Sequence, residues 1–94
     1  MANKLTIPAE LPDENDLRAV LAYNIRLFRV NKGWSQEELA RQCGLDRTYV
    51  SAIERKRWNI ALSNIEKMAN ALGIPAYELL LPPQARLAMM SQNI

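Results

Sequence analysis

From residue 16 onward, apolar side chains recur at helical intervals. Leu17, Val20, Leu21, Ile25 and Phe28 step by three and four, which predicts an amphipathic helix with Asp16 as N-cap and Gly33 at its end. In "SQEELARQCG", Ser35 and Glu38 have the spacing of a capping box, Leu39 begins the buried face, and Gly44 stops a second short helix. Asp46 caps a third, with Tyr49, Val50 and Ile53 on its apolar side. A basic loop, "RKRWNIAL", leads to "SNIEKMANALG", a fourth helix with Ile65, Met68, Ala69 and Leu72 inward. Its start is open between an N-cap at Ala61 and a second box formed by Ser63 and Glu66. Gly73 and Ile74 have the chemistry of a Schellman end. Pro75 opens a short fifth helix, "AYELLL", which Pro82 and Pro83 close. "QARLAMMSQNI" reads as a further helical turn or a tail. No strand or repeat is predicted. The expectation is an all-α, compact five-helix domain over 16–81, a flexible N-terminal arm over 1–15 and a C-terminal tail over 82–94.

The connection between the second and third helices carries the most information. Gly44 and Leu45 plus the cap are too short for anything but a steep crossing, and glycine supplies the positive φ of such a turn. Counting from Gln36 as the first residue, Ala40 is fifth, Gly44 ninth, Val50 fifteenth and Ile53 eighteenth. Each has a physical reason. Ala40 is small where the third helix crosses, and Val50 and Ile53 anchor that helix on the core. Arg47, Thr48, Ser51, Ala52 and Arg55 are then expected to face solvent.

This four-position pattern resembles the helix-turn-helix domain of phage Cro and repressor proteins, the Xre family, whose fold is lambda repressor-like. The likeness runs over residues 21–81, and "LDRTYVSAIER…NI" is most similar to the controller proteins of restriction–modification systems. It implies that the third helix enters the DNA major groove with its N-terminal residues at base edges. Carried over by position, Arg47 and Thr48 are the leading base readers, with Ser51 and Ala52 one turn on. Arginine suits bidentate contact with guanine. Gln36 is implied to donate to a phosphate at the start of the second helix. Tyr49, Arg55, Lys56, Arg57 and Asn59 are read as phosphate contacts. The resemblance also pairs Arg29 with Glu54, an ion pair that orients the recognition helix. Leu79, Leu80, Leu81 and the "ARLAMM" segment are the candidates for a homodimer contact.

Charge strengthens this picture. The chain has 12 Lys and Arg against 10 Asp and Glu, a net of +2. Residues 1–16 hold Lys4 against four acids, so residues 17–94 carry 11 basic and 6 acidic side chains. A clustered excess of this sign suits a polyanion. The chain has no histidine and one cysteine, Cys43, which works against zinc sites, imidazole-based triads and an internal disulfide. No enzyme activity, metal, cofactor or small-molecule ligand is expected. The N-terminus lacks the apolar stretch of a secretory signal, and no apolar run is long enough for a membrane span, so a cytoplasmic protein is expected. Cys43, Met68, Met89 and Met90 are read as core fillers, Trp34 as packing over the first two helices, and Trp58 as covering the core edge. The reading is a sequence-specific transcriptional regulator that binds double-stranded DNA as a homodimer on a near-palindromic operator. The alternative is a protein-interaction module, such as an antitoxin-type partner-binding domain. The polar character of Arg47, Thr48 and Ser51 argues against that alternative.

Overall fold

A computed structural model describes residues 10–57 and 59–92. The elements are α1 (Leu17–Asn31), α2 (Gln36–Cys43), α3 (Arg47–Glu54), α4 (Leu62–Leu72), a 3-10 helix (Ala76–Leu80) and α5 (Pro83–Gln92). Among the described residues there is no strand. α1 runs through the middle and touches α3, α4 and the 3-10 helix, while α2 packs on α3 and α4. The core lies where they meet, around Ile25, Leu39, Val50, Met68 and Leu79, all fully buried.

The predicted caps set the starts of the first three helices. Asp16 accepts from the Ala19 amide at 3.1 Å, Ser35 from Glu38 at 3.0 Å and Asp46 from Thr48 at 3.0 Å. The capping box on α2 is only half made, because the Glu38 carboxylate turns outward to Arg41 and Gln42. α4 begins at Leu62, with Ala61 as N-cap and no side-chain cap, so Ser63 lies inside the helix.

Four helices end alike. The amides of Trp34, Leu45, Arg57 and Ile74 reach back five residues to the carbonyls of Arg29, Ala40, Ala52 and Ala69. The residue before each has a positive φ. In three cases that residue is glycine; after α3 it is Lys56, at φ 60°. A left-handed lysine costs about 1 kcal/mol that glycine would not.

The C-terminal region takes the helical one of its two readings, at more than a single turn's length. "AYELL" is a 3-10 helix, and residues 83–92 form a regular α-helix with Pro83 in its first turn, where a missing amide hydrogen costs nothing. Asn24, buried on α1, ties these parts together by donating to the carbonyls of Leu79 at 2.9 Å and Leu81 at 2.8 Å. Arg86 pairs with Glu78 and lies over the Phe28 ring. Gln84 donates to the Pro12 carbonyl at 2.7 Å, so residues 10–15 of the expected arm lie against the start of α5. Met89 and Met90 are 55% and 60% exposed, which corrects their assignment as core fillers. The placement of Trp58 and of residues 1–9, 93 and 94 lies outside the described residues.

Candidate nucleic-acid interface

α3 is divided lengthwise. Val50 and Ile53 are buried among Leu39, Ala40 and Ile25, while Arg47 and Thr48 at the tip are exposed. The turn before it is shaped as the sequence required. Gly44 sits at φ 71°, and nothing lies within 4 Å of where its side chain would project, so the need for glycine there is conformational rather than steric. Ser51, one turn on, is half-buried. Ala52 is a correction. It is 3% exposed, because its methyl group faces the body of the domain on the side of the helix next to Ile53. It has no surface to offer a base.

A buried network fixes the tilt of α3. The Arg29 guanidinium straddles the Glu54 carboxylate, Nε to Oε2 at 2.8 Å and Nη2 to Oε1 at 3.0 Å. The two side chains are 1% and 3% exposed. Arg29 Nη1 also donates to the Trp34 carbonyl at 2.8 Å. Gln36 Nε2 donates to Glu54 Oε1 at 3.1 Å, so one carboxylate at the end of α3 holds both α1 and α2. The Gln36 side chain, expected on a phosphate, is thus directed inward, while its backbone amide stays at the open start of α2. Tyr49 is half-buried, and its hydroxyl accepts from Asn64 Nδ2 at 2.9 Å, joining α3 to α4. Arg55, Lys56, Arg57 and Asn59 are exposed along the loop that leaves α3. Exposed cationic side chains thus stand at both ends of α3, Arg47 at its start and Arg55, Lys56 and Arg57 after it. Cys43 is partly buried behind the turn; burial pushes its thiol pKa up, away from the reactive thiolate.

A helix-turn-helix family model matches residues 25–79, more than half of the chain. The chain belongs to this helix-turn-helix family, of the Xre type. Among helix-turn-helix structures, that of a hypothetical transcription factor from Neisseria superposes with a TM-score of 0.89 at 87% identity, over 92% of this chain and 99% of that one. The control protein C.BamHI of Bacillus amyloliquefaciens is 45% identical over 70% of this chain and 83% of its own length. The restriction–modification controller protein C.Esp1396I, solved as a tetramer with its natural 35 base-pair operator, is 34% identical with a TM-score of 0.64, over 69% of this chain and 90% of that one.

Two residues that matter to the helix-turn-helix geometry gave no sequence signal of their own. Asn24 and Asn64 are polar residues whose partners are 54 to 57 and 15 positions away, respectively. The dimer candidates also sort differently. Leu79 is fully buried in the core because the 3-10 helix turns it onto α1 and α4, so it is unavailable to a partner. Leu80 and Leu81 are half-buried. Leu80 lines an apolar groove with Leu17, Leu21, Ile60, Leu62 and Ile65. Leu17 and Leu62 are 58% and 74% exposed at its rim.

Proposed function

We propose that this protein is a sequence-specific transcriptional regulator that binds double-stranded DNA, inserting α3 into the major groove of a near-palindromic operator. The observation that carries the reading is the division of α3. Its buried side is locked to the body by Val50, Ile53 and the Arg29–Glu54 pair, and its tip presents Arg47 and Thr48 to solvent. A rigid helix with a polar, cationic tip can be pushed into a groove without losing its own packing. Arg47 reads a guanine edge, Thr48 and Ser51 read its neighbours, and Arg55, Lys56, Arg57 and Asn59 hold phosphates. Tyr49, whose hydroxyl accepts from Asn64, is read with them as a phosphate contact.

The regulator acts as a homodimer, and the groove beside Leu17, Leu62 and Leu80 is the face we assign to the second copy. Protruding leucines beside an apolar groove are self-complementary, as a two-fold interface requires. The related controller protein C.Esp1396I, solved as a tetramer on its operator, supports double-stranded DNA as the ligand and self-association in general. A protein that works on chromosomal DNA belongs in the cytoplasm, and among the described residues no helix is long and apolar enough to cross a membrane. The reading needs no cofactor and no catalysis. Selection of bound sequences from a random duplex pool, with sedimentation of the complex, tests it. A two-fold symmetric consensus bound by two chains is expected, and an asymmetric consensus or none refutes it.

A further inference from the structure

The stretch ahead of α1 is acidic where the rest of the chain is basic, and it is pinned in place. The Pro12 carbonyl accepts from Gln84 Nε2 at 2.7 Å, and the Asp13 carbonyl accepts from the Asp16 amide at 2.9 Å. Asp13 Oδ1 also accepts from the Asn15 amide at 2.9 Å. The result is a turn tied to α5 on one side and to the start of α1 on the other. It lies ahead of residues 25–79, the part shared with the family.

This turn forms one wall of a cleft of about 360 Å³. Glu10, Asp13 and Asp16 line it on that side, Arg26 lines it from α1, and Lys56 from just past the end of α3. Glu54 reaches the same cleft but is committed to Arg29, and Asp16 is committed to capping α1. Glu10 and Asp13 are therefore the carboxylates left to face Arg26 and Lys56. No ion pair joins these four side chains, so each acid acts on the cations across the cleft rather than by contact. Charges that share so small a space lie within about one Debye length, ~8 Å at physiological salt, and are felt there.

Lys56 is exposed and holds a left-handed backbone that glycine would adopt more cheaply. It is also one of the cations assigned above to the DNA backbone. A phosphate that approaches Lys56 meets acidic groups already set beside it. We propose that residues 10–13 are an autoinhibitory strap, in which Glu10 and Asp13 compete with the DNA backbone for Lys56. This rests on the DNA-binding reading above. The strap faces phosphates and no base, so it lowers affinity for every duplex alike.

The test is the affinity of wild type, Asp13→Asn, Glu14→Gln and the double variant Glu10→Gln with Asp13→Asn for a random duplex and a selected one. Asparagine at 13 keeps an acceptor for the Asn15 amide. At about 0.1 M salt, Asp13→Asn is expected to bind both duplexes about threefold more tightly and the double variant about tenfold. Glu14 carries the same charge one residue on but does not line the cleft, so Glu14→Gln should stay within about 1.5-fold of wild type. Placed on a Lys56→Gln background, the double change should gain about threefold or less. The gain should fade by about 0.5 M salt, where the Debye length is about 4 Å. A Glu14→Gln gain equal to that of Asp13→Asn overturns the proposal, because net charge alone would then explain it. So does an undiminished gain without Lys56, a gain confined to the selected duplex, or no gain at all. Failure of wild type and every variant to bind any duplex would instead sink the parent reading.

Discussion

Removing the Glu54 carboxylate tests how α3 is held. The Arg29–Glu54 pair is 1% and 3% exposed and makes two hydrogen bonds, and Gln36 adds a third to the same carboxylate. Glu54→Ala strips a buried guanidinium of its carboxylate. Breaking one side of such a pair costs about 3–5 kcal/mol, because the remaining charge stays in a poorly solvating place. A chain of this length has about 5–14 kcal/mol of total stability, so the variant loses a large share of it. At about 4–8 °C per kcal/mol, the expected fall in Tm is about 12–40 °C. Replacing both partners with apolar residues of similar size, Arg29→Met with Glu54→Leu, removes the charge that made the single change costly. The double variant should recover to within about 2 kcal/mol of wild type. Urea unfolding followed by circular dichroism, with each single variant and the pair, gives the coupling directly. Two results would refute the reasoning: a Glu54→Ala variant within about 1 kcal/mol of wild type, or a double variant as unstable as the sum of the singles.

Other parts of the account are open to similar tests. Lys56→Gly relieves a left-handed lysine and should raise stability by about 1 kcal/mol, while it weakens binding to every duplex and reduces the salt slope by about 0.9; the urea midpoint and a salt series check the two halves separately. Leu62→Glu places a charge at the rim of the apolar groove and should turn dimer into monomer in sedimentation without lowering Tm, since the side chain is 74% exposed in the single chain. Asn24→Leu leaves the carbonyls of Leu79 and Leu81 without their donor, and a loss of about 2–4 kcal/mol is expected in urea unfolding, with the 3-10 helix exchanging its amide hydrogens first.

Much of the fold was legible because its signals are local. Asp16, Ser35 and Asp46 each accept from an amide two or three residues on, so the chain announces its own helix starts. Gly33, Gly44 and Gly73 mark three helix ends for the same reason. The end of α3 carries no such mark. Lys56 takes the left-handed position instead, which makes sense if a cation in that place serves a charged partner. Helical spacing also explains the errors. Ala52 follows Ser51 by only 100° around the helix, and for a residue as small as alanine the pattern does not separate the rim of the buried face from the exposed one. Leu79, Leu80 and Leu81 are identical letters, and only the turn of the 3-10 helix decides that Leu79 goes inward and Leu80 reaches the groove. Gln36 reads as outward from the sequence because the carboxylate that claims its side chain is 18 residues away. α5 is not legible from sequence because its apolar residues show no one-sided pattern, and its first turn is held instead by Gln84 and Arg86.

The central claim is that Arg47 at the exposed tip of α3 reads a base. The most direct test is the ratio of affinities for the selected duplex and a random duplex, measured at one salt concentration for wild type and Arg47→Ala. A bidentate contact with guanine predicts that the ratio falls by about 1–3 kcal/mol, roughly fivefold to more than a hundredfold, with preference lost at a single base position in each half-site. An unchanged ratio, with both affinities reduced alike or not at all, would contradict the account.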